Sequence, residues 1–248
     1  MRVQQPIVAL VFAIVGAWGQ PQGPLPGAPG GTPLTPKAGA LIDLTGYWAS
    51  VVPEESRFRM FTPPKGDFAG IPLNVDGSKL AKEWDPAKDE TSGEQCKSYG
   101  AAAIMSVPGR FHITWDNDTT LKIETEAGTQ TRLLHFNAAP LQTEAPSWQG
   151  YSVAAWDPTL KHGRQGGSLK VTTANLRPGY LRKNGVPYSG KTTVTEYYDL
   201  VHEPDGAVLV VNTTVEDPTY LTDRFRTSTN LRKQRGTSGW NPSACSSR

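Results

Sequence analysis

The amino-acid sequence predicts an all-β protein. The expected form is a single antiparallel, lipocalin-like β-barrel of about eight or nine strands with one or two short helices. Three observations carry that prediction. From residue 46 onward the chain is a series of short segments with period-two alternation, separated by tight-turn sequences. Twenty-one prolines are spread over 248 residues, and proline fits badly inside helices because it has no N–H to donate. No internal repeat and no second composition regime is visible, so one run of antiparallel strands must hide both of its edges. Closure into a barrel removes them. A two-sheet sandwich is the alternative arrangement.

The elements follow in order. Residues 1–19 read as a secretory signal peptide: Arg2 supplies positive charge, PIVALVFAIVGAW is an apolar core, and Ala17 and Gly19 are the small residues a cleavage site needs before Gln20. The apolar run is too short to read as a membrane span, so no membrane span is expected after cleavage and the mature chain is expected to be periplasmic or extracellular. Residues 20–40 are rich in proline and glycine and read as a disordered linker. The barrel domain is expected over 41–248. Strands are expected at 46–52, 110–116, 119–126, 129–136, 148–157, 167–176, 191–203, 207–217 and 223–233, several joined by short turn sequences such as DND, EAG and PDG. Residues 76–85 carry Leu80, Ala81 and Trp84 on one helical face. Residues 100–107 suit either a helix or a buried strand.

Charge and cysteine usage narrow the function. With 25 basic and 23 acidic residues, a net charge of +2, there is no electrostatic footprint for nucleic acid. In an exported protein two cysteines usually pair, so a Cys96–Cys245 disulfide is expected to pin the C-terminal tail onto the body. No G-x-S-x-G, P-loop or G-x-G-x-x-G occurs, and no cofactor is implied. His112, His135, His162 and His202 show no metal-ligand spacing, so no metal site is expected.

Gly46-Tyr47-Trp48 is similar to the G-x-W that opens lipocalin barrels, where the Trp plugs the closed end. Over roughly residues 43–233 the segments DLTGYW, WDPAKDETSGEQC, W-x-G-x-S-V-x-x-W at 148–156, TEYY at 195–198 and VEDPTYLTDRF at 215–225 resemble a family of uncharacterised exported β-rich proteins, frequent in acidobacteria and proteobacteria. The resemblance implies an exported β-rich domain and no particular reaction. That family carries His at the position of Tyr151 and Asp at that of Thr172; this chain has neither, so the general-base pair they would form is missing.

Two constellations are candidate sites. On a strand, Trp148, Gly150, Ser152, Ala154 and Trp156 share one face. Small residues between two indoles leave volume and offer stacking area. Trp148, Ser152 and Trp156, with Trp48, are therefore the expected ligand-binding residues, unless the small side chains only let a neighbour pack close. Glu196 and Tyr198 share a face of their strand and are the candidate acid–base pair, against the plainer reading of Glu196 bonded to Arg132 or Lys170 at the rim. Glu216 and Asp217 are adjacent, point to opposite faces and read as a strand end before Pro218. The expected function is binding of a small apolar or aromatic molecule in a barrel cavity, or a structural role in the envelope. The alternatives are a lyase or hydrolase using Glu196 and Tyr198, and a protein-interaction module presenting Phe58, Phe61 and Phe68.

Overall fold

The computed structural model describes residues 34–52, 56–136, 145–161, 164–237 and 239–247. The expected leader at 1–19 and the linker as far as residue 33 lie outside the described residues. In chain order the elements are β1 (Gly46–Val51), α1 (Ser56–Arg59), α2 (Val75–Glu83), α3 (Pro86–Thr91), β2 (Arg110–Asn117), β3 (Thr120–Thr125), β4 (Thr131–Phe136), β5 (Tyr151–Lys161), β6 (Arg164–Ala174), β7 (Gly179–Arg182), β8 (Val186–Tyr188), β9 (Thr193–Glu203), β10 (Gly206–Glu216) and β11 (Phe225–Lys233).

Nine of these strands close a barrel in the order β1-β11-β10-β9-β6-β5-β4-β3-β2. The closing pair is β1 with β11, where Trp48 lies opposite Lys233 and Val51 opposite Asn230. The barrel is not wholly antiparallel, as the sequence had suggested. β4 and β5 run parallel, with Leu134 opposite Ser152 and Phe136 opposite Ala154. Tight turns reverse the chain, whereas a parallel return needs roughly a dozen residues or more. The connection over residues 137–150 has that length, and nothing in its composition announces which way the next strand will run.

Alternation sorts the strands into an inner and an outer face. Trp48, Phe111, Ile113, Leu121, Ile123, Leu134, Leu169, Val171, Tyr198, Leu209, Val211 and Leu231 form the main core inside the barrel. A second core covers one barrel end. There Ile71, Ala101, Ala102, Leu176, Leu181, Val186, Tyr188 and Phe225 bring together the long β1–β2 excursion and the β7–β8 hairpin. The aromatic loop belongs to this cap. Phe68 packs against the second core, and Phe58 lies under the guanidiniums of Arg57 and Arg182, 4.9 and 3.9 Å from its ring centroid. Phe61 alone of the three is widely exposed, at 76%.

Local chemistry explains the cap. Asn74 caps α2, its side chain accepting from the Gly77 amide at 2.9 Å. The expected helix at 76–85 stops at Glu83 because Trp84 turns extended (ψ 136°), Asp85 caps the next helix and Pro86 occupies its first turn. Among the described residues three short helices therefore replace the expected one or two. Residues 100–107 form no strand and no α-helix; their one regular element is a 3-10 turn at Ile104–Ser106, and another, Lys97–Tyr99, precedes them. At the other barrel end, residues 34–40 form a turn that docks on the barrel: the Lys37 amide donates to the Asp118 carbonyl at 3.2 Å, and the Trp156 indole donates to the Pro36 carbonyl at 2.8 Å.

Cys96 and Cys245 are joined by a disulfide across 149 residues of chain. It holds the tail along the β3–β4 turn, where the Ser243 amide donates to the Glu126 carbonyl at 2.9 Å. Among the described residues no helix is long and apolar enough to cross a membrane.

Candidate functional site

The barrel interior carries a charged cluster. Arg132, on β4, shares the inward face with Leu134 and Phe136. Its Nη1 and Nη2 donate to Oε1 and Oε2 of Glu196, at 3.1 and 2.5 Å. Its Nε donates to Ser152 at 3.2 Å and its Nη2 to Thr173 at 2.7 Å. Tyr198 donates to Glu196 Oε1 at 3.3 Å. Arg132 and Glu196 are 2% and 0% exposed, so the pair is desolvated but fully partnered. Burial and then the Glu196 charge push the Tyr198 phenol well above its usual range. Burial disfavours the Arg132 cation, but the facing Glu196 and Tyr198 hold it firmly charged. Glu196, Tyr198 and Ser152 thus meet, around an arginine that sequence reasoning had placed only as a partner at the rim.

The four expected ligand-binding residues stand in different surroundings. Trp48 is buried in the barrel core with its indole N–H on the Leu44 carbonyl at 2.9 Å. Ser152 belongs to the charged cluster. Trp156 packs against Phe136, ring centroids 5.4 Å apart, under the turn that carries Pro36. Trp148 stands outside the barrel, because Gly150 breaks the alternation. Gly150 has φ +59°, and a Cβ there would lie 2.4 Å from the Ala174 carbonyl oxygen. The small residue serves close packing, and β5 begins only at Tyr151.

Asp217 and Glu216 are separated as their adjacency dictates. Asp217 is buried and accepts from the Ser189 hydroxyl and the Thr219 amide, both at 2.8 Å. Glu216 accepts from Arg224 on the outside at 2.5 Å. His112 stacks on Tyr47 at 4.1 Å and His135 on Tyr151 at 4.9 Å. No group of three metal-ligating side chains is found among the described residues.

An open cleft lies elsewhere, between α2, α3 and the β7–β8 hairpin. It measures about 460 Å³, and its lining includes Trp84, Lys88, Asp89, Tyr180, Tyr188 and Tyr220. Asp89 organises it. Trp84 Nε1 donates to its Oδ2 at 3.2 Å, the Tyr180 hydroxyl sits 3.1 and 2.9 Å from its two oxygens, and Lys97 Nζ donates at 2.8 Å. One carboxylate therefore fixes the polar edges of an indole and a phenol. Burial, then the bond to Asp89, pushes the Tyr180 phenol upward. Gly185 supports Trp84 from behind: its φ is +81°, and a Cβ there would lie 2.0 Å from the Trp84 ring.

A chain of contacts leads from this cleft to Trp148. Lys97 Nζ is 3.8 Å from Glu94, Glu94 pairs with Arg177 at 2.6 Å, and Arg177 lies over the Trp148 ring at 4.1 Å. Two other hollows are less suited to a ligand. One lined by Phe58 measures about 30 Å³, room for water but not for a ring-sized ligand. One beside α2, about 610 Å³, is lined by Leu73, Asn74, Val75, Ser78, Lys79, Lys82 and Glu83 and has no aromatic ring.

Sequence reasoning missed Asp89, Lys97 and Tyr180 as a group. Asp89 and Lys97 stand in and just after WDPAKDETSGEQC, and Tyr180 in a Pro/Gly-rich stretch about ninety residues from Asp89 that read as loop. Of the residues gathered around Asp89, the sequence singled out only Trp84, on one face of the expected helix at 76–85.

Fold and site together define a closed mixed β-barrel, its interior holding an apolar core and a buried ion pair, with a disulfide-clamped cap that carries an external aromatic cleft. No protein-family model, no curated protein and no solved structure matches the chain.

Proposed function

We propose that this protein is an exported small-molecule binding protein, with the barrel as its rigid support and the cap cleft as its binding site. The observation that carries the reading is the Asp89 hub. It holds Trp84 and Tyr180 by their polar edges beside a cleft of about 460 Å³, within the range of small-ligand sites. Pre-fixed rings lose little freedom when a ligand stacks on them. Export is supported by the leader-like N-terminal sequence and by the disulfide, which persists in oxidising compartments. The interior cluster fits a structural role: both Glu196 oxygens are occupied by Arg132 and the phenol of Tyr198 holds its proton tightly, which suits neither a general base nor a general acid.

The test is to purify the chain from a periplasmic preparation, denature it and identify released small molecules by mass spectrometry. A stoichiometric ligand retained by Trp156→Ala and lost by Trp84→Ala is the expected result. A ligand retained by Trp84→Ala and lost by Trp156→Ala would overturn the assignment of the cleft and return the site to the barrel. N-terminal sequencing of the same preparation tests export; an intact Met1 on the periplasmic protein would contradict a cleaved leader.

A further inference from the structure

We infer that the cleft takes a neutral saccharide; this rests on the reading of the cleft as the binding site. Two features of the lining point to that class. The first is the pairing of ring faces with charged and hydrogen-bonding groups. Trp84, Tyr180 and Tyr220 line the same cleft as Glu83, Asp85 and Lys88. A wholly apolar or aromatic guest would desolvate these polar groups without replacing their bonds to water, which is costly. A pyranose does both jobs: its axial C–H face stacks on an indole or phenol, and its equatorial hydroxyls both donate to carboxylates and accept from ammonium groups.

The second feature is charge. The lining holds two lysines, Lys88 and Lys97, against three carboxylates, Glu83, Asp85 and Asp89. Lys97 is committed to Asp89 at 2.8 Å. The remainder, Lys88 against Glu83 and Asp85, carries no surplus of positive charge for a phosphate or a uronate. The side chains of Glu83 and Lys88 make no hydrogen bond or ion pair among the described residues, and both residues are exposed, so both can turn to a ligand's hydroxyls. The cleft volume suits one or two sugar rings.

The experiment uses the full oxidised chain and follows tryptophan fluorescence, with calorimetry as a second readout. The probes are cellobiose, maltose and lactose as neutral disaccharides, glucuronate as an anionic sugar, and indole and 2-naphthol as planar aromatics. The expected result is saturable binding of at least one neutral disaccharide. Its affinity falls roughly tenfold or more in Trp84→Ala, as loss of a stacking ring predicts, and severalfold in Lys88→Ala. Lys88 is exposed on α3, so this second variant keeps the test valid should Trp84→Ala fold poorly. Binding of indole or naphthol with the same Trp84 dependence, and of no disaccharide, would overturn the saccharide class while leaving the cleft as the site. Glucuronate binding as tightly as its neutral counterparts would overturn the neutrality. No response to any probe in either readout would overturn both.

Discussion

Arg132 and Glu196 face each other across the barrel interior in a two-pronged ion pair, at 3.1 and 2.5 Å, with neither side chain reached by solvent. The geometry settles every N–H of the guanidinium on Glu196, Tyr198, Ser152 or Thr173. Removing one partner strands a buried charge. Glu196→Leu and Arg132→Met are each expected to cost about 3–5 kcal/mol. A double variant, Arg132→Met with Glu196→Leu, should cost much less than the sum. Urea denaturation of the four proteins closes the cycle; additive losses would show that the pair is not coupled.

The disulfide joins the tail to the segment that supplies Lys97. Cys96 immediately precedes the turn Lys97–Tyr99, so the clamp and the cleft share a backbone. Cys96→Ser/Cys245→Ser should lower stability by about 4–5 kcal/mol on the chain-entropy account. It should also weaken ligand binding at the cleft, because Lys97 loses its anchored neighbour. Thermal melts and titrations with and without reductant measure both effects, and unchanged affinity in a still-folded reduced protein would separate the clamp from the site.

Gly185→Ala tests the support of Trp84. The left-handed backbone at φ +81° and the ring 2.0 Å from any Cβ act in the same direction. A loss of at least about 1–3 kcal/mol is expected from the backbone conformation alone, together with a changed tryptophan emission as the indole is displaced. Gly93→Ala is the control, because φ is +72° there and nothing lies within 4 Å of its Cβ; it should cost stability and leave the emission unchanged.

Alkaline pH should destabilise the protein. Tyr180, Tyr188 and Tyr198 are all raised from 10.0, with burial the largest cause. A raised folded-state value means that this stabilisation is complete below pH 10. It is lost as the pH climbs beyond that point, since the unfolded chain releases protons that the folded one keeps. Urea midpoints taken between about pH 9 and pH 11 should fall, and the fall should be shallower in Tyr180→Phe. A flat profile would contradict the burial of these phenols.

The strands were legible because alternation and turn residues act over a few neighbouring positions. β2, β3, β9, β10 and β11 lie within two or three residues of their expected bounds. The β7–β8 hairpin was not legible: Pro178, Gly185 and Pro187 punctuate it, and its packing partner α2 lies about a hundred residues earlier in the chain. The shared face of Glu196 and Tyr198 followed from period two, but its direction did not. On β4 both faces carry a leucine, so nothing local says that Leu134 turns in with Arg132 while Leu133, 39% exposed, turns out.

The stretch from Trp148 to Trp156 shows the same division. Read as one strand, it lines up two indoles on one face. In the fold, Gly150 takes a positive φ to pass close to the Ala174 carbonyl, and the two tryptophans part company, Trp148 under Arg177 before β5 begins and Trp156 against Phe136. Sequence alone determined the class of fold, the nine strands of the barrel and the pairing of Cys96 with Cys245, because those depend on local pattern and on a count of two. Tertiary structure decided the parallel β4–β5 pair, the burial of Arg132 on Glu196 and the gathering of Trp84, Asp89, Lys97 and Tyr180 into one cleft. These are meetings of residues far apart in the chain, and their energy comes from packing and desolvation that no short window of sequence contains.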